Sequence, residues 1–164
     1  MDLTLARATP EDRELLANLM NLYMYDFSEF TADDAGDDGA FRAADIDRYF
    51  ADPRETWIAR VDGHLAGFVI VRVDGEALDG SPGVRDVQEF FVMRKYRRRG
   101  LGEEMARRTF DRSPGPWQVR VLKPNTPAQG FWRTIIGRRT GGRFSEVDWD
   151  DERWRGPVFR FTNA

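Results

Sequence analysis

One continuous stretch, Asp86 to Ala106, constrains the fold of this 164-residue chain more than any other. Val87 to Met93 is rich in β-branched and aromatic residues, the composition of a strand. A basic turn with two glycines follows, Arg94-Lys95-Tyr96-Arg97-Arg98-Arg99-Gly100-Leu101-Gly102. From Gly102 the residues are mostly helix formers, with Leu101, Met105 and Thr109 on one helical face and Ala106 and Phe110 beside them. A strand that turns through glycines into a helix N-terminus makes an anion site, because the first N–H groups of the helix lack internal partners and the dipole favours negative charge there. Gly100 and Gly102 let an anion approach the backbone without a Cβ in the way. The spacing Arg97-x-x-Gly100-x-Gly102 is shorter than a P-loop, lacks its Lys-Ser/Thr ending, and is not the dinucleotide fingerprint. The plainer alternative is a solvated arginine-rich helix cap.

Length suits one domain over residues 1–164. Apolar residues at 41% and aromatics at 13% suffice for a core. A net charge of −3 argues against a nucleic-acid partner, although Arg94, Lys95, Arg97, Arg98, Arg99, Arg107 and Arg108 form a basic run. With no cysteine and one histidine, His64, thiolate chemistry and a histidine-rich metal site are excluded, and no metal is expected. No segment nears the ~18 apolar residues of a membrane span, and Met-Asp-Leu-Thr is no signal sequence. A cytoplasmic chain with no membrane partner is the expectation.

Leu3 to Ala8 alternates as a first strand. Thr9-Pro10-Glu11-Asp12 opens a helix with an N-cap, a proline and first-turn acids. That helix carries Leu15, Leu16, Leu19, Met20 and Tyr23 at helical spacing, with Tyr25 and Phe27 near its end. Asp26, Glu29, Asp33, Asp34, Asp37 and Asp38 make an acidic loop; it reads as a solvated surface or, more sharply, as an attractor of a cationic acceptor. Ala43 to Phe50 is expected to be a second, short helix. Strands over Glu55–Val61 and Leu65–Val73 flank the hairpin turn Asp62-Gly63. Beyond the central stretch come a strand over Trp117–Leu122, a helix with Thr126 as N-cap and Pro127 as first residue, a Gly141-Gly142 turn and a closing hairpin. The order β-α-α-β-β-β-α-β-α-β-β implies a mixed sheet with helices packed on it.

Two motifs in this order carry a family resemblance. Arg97-x-x-Gly100-x-Gly102 matches the R/Q-x-x-G-x-G/A turn, and Asn125-x-x-Ala128-x-x-Phe131-Trp132 is similar to the N-x-x-A-x-x-(L/F)-Y helix, of the GNAT N-acetyltransferase superfamily. The resemblance implies an α/β (α+β) GNAT-like fold: a mixed, mostly antiparallel sheet of six to seven strands, splayed between the fourth and fifth, flanked by about four helices. It implies acetyl-CoA as cosubstrate. The backbone of Phe91 and Val92 would hold the pantetheine arm. The turn from Arg97 through Arg98, Arg99, Gly100 and Leu101 to Gly102 would hold the pyrophosphate, with Asn125 and Phe131 against the pantetheine. Tyr23, Tyr25, Phe27 and Trp132 would border the acceptor, and a homodimer is a partner state the family often adopts.

The chain departs from the pattern at Trp132, where the family places its usual general acid, a tyrosine; an indole N–H cannot protonate a leaving thiolate. For the base, Glu89 alternates with Val87 and Phe91 and so falls on an otherwise apolar face, where burial would raise its pKa toward neutrality. Asp86 is the second candidate, and a bulge in this strand would change which residues face the cleft. A structural carboxylate is the alternative for Glu89. The leading expectation is acetyl transfer to a primary amine by direct attack. The alternative is a non-catalytic acetyl-CoA-binding regulator or sensor.

Overall fold

The structure is a computed structural model and describes residues 2–164. One seven-stranded sheet runs in the order β1-β2-β3-β4-β5-β7-β6. Its strands are β1 (Leu3–Arg7), β2 (Arg54–Val61), β3 (His64–Gly75), β4 (Val84–Val92), β5 (Gly115–Arg120), β6 (Phe144–Asp150) and β7 (Arg155–Asn163). Among the described residues, only β4 and β5 pair in parallel. They do so over Arg85–Val87 against Trp117–Val119, after which β4 runs on to Val92 paired with β3 but no longer with β5. The sheet is therefore splayed between its fourth and fifth strands, as the resemblance implied.

Three α-helices cover the sheet: α1 (Arg13–Phe27), α2 (Leu101–Phe110) and α3 (Thr126–Thr140). The expected helix over Ala43–Phe50 is only a 3-10 turn at Asp47–Phe50, so the described residues hold three α-helices rather than about four. Its sequence offers Ile46, Tyr49 and Phe50 as apolar anchors and no N-cap bond, too little to nucleate an α-helix. The start of α1 is a 3-10 turn, Pro10–Asp12, where the Asp12 carboxylate accepts from the Thr9 N–H at 2.9 Å. At α3 the cap is Asn125 rather than Thr126: its Oδ1 accepts from the Ala128 N–H at 3.2 Å.

Each sheet face has its own core. On one face α1 buries Leu16, Leu19, Met20 and Tyr23 against Ile58, Phe68, Ile70 and Phe91. On the other, α2 and α3 bury Phe110, Trp132 and Ile136 against Val71, Val87, Trp117, Val119 and Phe159. Full burial of such a side chain contributes about 1.5–3 kcal/mol. No helix among the described residues is long and apolar enough to cross a membrane.

Candidate active site

The turn after β4 is built as an anion cradle. Arg98 has φ +58° and Gly100 φ +79°, both left-handed. These two reversals aim consecutive N–H groups to one side. Among the described residues, no backbone N–H from Arg98 to Glu103 finds a protein acceptor, whereas the Glu104 N–H closes the first helical turn on Gly100 O at 3.0 Å. The two glycines serve different ends. A Cβ on Gly100 would meet nothing within 4 Å, so glycine is needed there for its φ; a Cβ on Gly102 would sit 3.0 Å from the Phe131 ring, so glycine is needed there for packing.

The arginines of the turn divide. Arg97 is committed: its Nε donates to Val92 O at 2.7 Å and its Nη2 pairs with Asp26. Arg94 also pairs with Asp26, at 2.7 Å, and Arg107 and Arg108 pair with Glu104. Arg98 and Arg99 remain exposed, with no carboxylate partner among the described residues. Burial would raise the Asp26 carboxyl, but Arg97 and Arg94 hold it below the ordinary range. Beside the turn, a hollow of about 490 Å³ is lined by Val61, Asp62, His64, Lys95, Tyr96 and Arg99.

The base candidates sit where the sheet register slips. Ile70 pairs with Glu89 but Val71 pairs with Val87, which leaves Gln88 as an extra residue, a β-bulge. The alternation expected across Val87, Glu89 and Phe91 is broken there. Glu89 does share the α1 face with Phe91, but Val87 packs into the opposite core. The bulge also brings Asp86 and Glu89, three residues apart, onto one face; in a regular strand they would point to opposite faces. Asp86 is 5% exposed and pairs with Arg120 at 2.6 Å. Burial pushes the Asp86 carboxyl up, against the pull of Arg120.

Glu89 is half-buried, and Tyr23 donates to its Oε2 at 2.7 Å. Burial raises the Glu89 carboxyl above the ordinary range; the Tyr23 hydrogen bond and the charges of Arg48 and Arg120 lower it part of the way back. The Tyr23 hydroxyl is itself pushed well above its ordinary value by burial and by Glu89, so it stays protonated and acts as a donor. It follows that Tyr23→Phe should move the acid limb of a kcat/KM profile to higher pH, because the removed bond favours the carboxylate. A limb at the wild-type pH would show that Glu89 does not set it.

The remaining aromatics separate. Phe27 packs on the Tyr23 ring at 4.6 Å, so it borders the Glu89 side. Tyr25 is 62% exposed and points elsewhere, 6.3 Å from Phe41. Trp132 is not brought to Glu89 at all: it lies in the core on the far face, edge-on to Phe90 at 4.9 Å. Phe131 lies on that far face too, against Gly102 and Phe90, while Asn125 is buried at the α3 cap. Sequence reasoning missed Arg48, Tyr49, Arg54, Arg72 and Arg120 around Glu89. Arg120 and Arg72 carried a signal, since each is a charged residue inside an apolar strand.

The residues present suit coenzyme A: a cradle of free N–H groups, two unpaired arginines, and an open strand edge leading from the cradle to Glu89. The sequence profile of the acetyltransferase (GNAT) family matches residues 16–137. The comparison with curated proteins finds no match. Among solved structures, an acetyltransferase from Thermus thermophilus superposes with a TM-score of 0.69 at 18% identity, covering 99% of this chain and 97% of that one. The PaiA N-acetyltransferase of Thermoplasma acidophilum, in complex with coenzyme A, superposes at 0.64 with 11% identity, covering 99% of each. At such identities the superpositions establish the fold, and the profile establishes the family: this chain belongs to the GNAT acetyltransferases.

Proposed function

We propose that the whole chain is one acetyltransferase domain that moves an acetyl group from acetyl-CoA to a primary amine, with Glu89 as the base. The observation that carries this is the Tyr23–Glu89 pair, a raised carboxyl held on the acceptor side of the open β4 edge. The pyrophosphate binds the N–H groups of Arg98 to Glu103 with help from Arg98 and Arg99. The pantetheine follows the edge of Phe91 and Val92 into the splay. The amine nitrogen attacks the thioester carbonyl, its proton passes to Glu89, the C–S bond breaks, and the thiolate leaves. Backbone N–H groups at the splayed edge stabilise the developing oxyanion. Trp132 is buried and is no proton donor for the thiolate, so CoA leaves as the thiolate or takes a proton from water.

A preference for a cationic acceptor finds little support at this site. Of the six acids in the expected attracting loop, Asp26 pairs with Arg94 and Arg97 and Asp38 with Arg42, while Glu29, Asp33, Asp34 and Asp37 are exposed without an ion pair among the described residues, away from Glu89 on the loop beyond α1. Around Glu89 the guanidiniums outnumber the carboxyls.

The position of Trp132 favours one second reading, an acetyl-CoA-binding regulatory domain without catalysis. Thiol release from acetyl-CoA, followed with an amine panel, separates the two. Acceptor-dependent release supports catalysis. Tight acetyl-CoA binding with no release from any amine supports the regulator.

A further inference from the structure

We propose that the amine acceptor also carries a carboxylate, received by Arg72 and Arg120 while its amine faces Glu89. This rests on the acetyl-transfer reading above and names the acceptor class of that same site.

The starting observation is a polar row crossing the sheet on the α1 face. Register places Arg54 beside Arg72, Arg72 beside Asp86, and Asp86 beside Gln118. Arg120 lies two residues beyond Gln118 on β5, hence on the same face. It is fixed there by Asp86 and by the Trp154 ring, 5.0 Å from its guanidinium carbon. Buried sheet positions of this kind are normally apolar. Here four guanidiniums, Arg48, Arg54, Arg72 and Arg120, face two carboxyls, Asp86 and Glu89. Among the described residues only Arg120 of the four has a carboxylate partner. Arg54 spends its Nε on Gln88, in the bulge, and Arg48 donates to the Tyr49 hydroxyl.

The second observation is a set of polar atoms with nothing to bond. Arg72 Nε, Arg120 Nε, Trp154 Nε1 and Asp86 Oδ1 are all buried without a partner. Native structures rarely leave such atoms unmet. Three of the four are donors. An amine alone would not satisfy them, but a group with several lone pairs would. A carboxylate presents two oxygens in the plane of a guanidinium fork, which makes it the natural ligand for paired arginines. The fourth atom, Asp86 Oδ1, is an acceptor and suits the ammonium of the same molecule. A Cβ at Gly75 would stand 3.1 Å from Val84 O and 3.3 Å from Arg72 Cδ and Nε, so the guanidinium stem lies close against the β3 backbone.

The test uses the full-length protein with acetyl-CoA and matched acceptors that share an amine and differ in the acid: dipeptides against their C-terminal amides, and aminophosphonates against the corresponding amino acids. The free carboxylate is expected to exceed its amide in kcat/KM by at least roughly a hundredfold, since a site built around buried donors rejects an analogue that leaves them unpaired. In Arg72→Met that ratio should collapse toward unity, with acetyl-CoA affinity by calorimetry serving as the check that the variant is folded. Amides or diamines acetylated as well as the acids would overturn the proposal and leave acetyl transfer standing. An aminophosphonate preferred over the carboxylate, or an unchanged ratio in Arg72→Met, would overturn it equally. If bound acetyl-CoA yields no thiol with any amine, the acetyl-transfer reading fails and this proposal fails with it.

Discussion

Glu89→Gln is expected to cut kcat/KM for acetyl transfer by roughly a hundred to ten-thousandfold, the range over which a positioned general base contributes. Glutamine keeps the shape and can still accept from the Tyr23 hydroxyl, so the wall around it stays in place. What disappears is the carboxyl proposed to take the amine's proton. The carboxyl of Glu89 is raised by burial, so its charged form is the one the fold disfavours. The linkage then has a definite sign. The stability contributed by Glu89 is fully present below its unfolded pKa and is lost as pH rises through the higher folded value. At neutral pH the variant should therefore melt no lower than the wild type, and a large activity loss cannot be assigned to unfolding. The acid limb of the pH–rate profile should vanish with the carboxyl. Retained activity would instead pass the role to Asp86 or to water.

Gly100→Asp should abolish measurable acetyl-CoA binding in a calorimetric titration, a loss of at least roughly a hundredfold. Two effects add. A side chain at φ +79° costs on the order of 1 kcal/mol. The larger effect is electrostatic, because the new carboxylate would stand among the N–H groups that the pyrophosphate needs and would repel it. Gly100→Asn isolates the first effect, since asparagine has nearly the same shape and tolerates the left-handed region. It should keep most of the affinity. Equal binding by wild type and Gly100→Asp would show that the turn is a solvated helix cap and no cradle.

The cradle was legible because its determinants are local. Glycine spacing, strand composition and helix periodicity all fall within the stretch Asp86–Ala106, and each specifies the backbone directly. The catalytic face was less legible, because its determinants are not local. A bulge in this strand is among the expectations from sequence, but nothing in the residues places it at Gln88, and that single extra residue decides that Asp86 and Glu89 share a face and that Val87 does not. Tyr23 was visible as a helix-face aromatic, but its bond to Glu89 spans 66 residues and depends on how α1 lies on the sheet. Trp132 was misplaced for a related reason: its motif position suggested the acceptor side, whereas α3 packs it against Phe90 on the far face. The Ala43–Phe50 segment reads as helix by composition and is held instead by tertiary contacts, with Thr56 Oγ1 donating to Tyr49 O at 2.6 Å.

Asp26 fastens two devices together. It sits in the last turn of the helix that carries Tyr23, and it grips both Arg94 and Arg97 of the phosphate turn. A load placed on one device is thereby felt at the other. On the proposed function, ordering of the turn by a bound pyrophosphate would steady the helix end that orients the base, and a seated acceptor would steady the turn in return. Thermodynamic reciprocity makes the two gains equal: the factor by which acetyl-CoA tightens the acceptor is the factor by which the acceptor tightens acetyl-CoA. On that reading, loading of the cosubstrate and readiness of the base would be linked through one carboxylate, Asp26, at the junction of helix and turn.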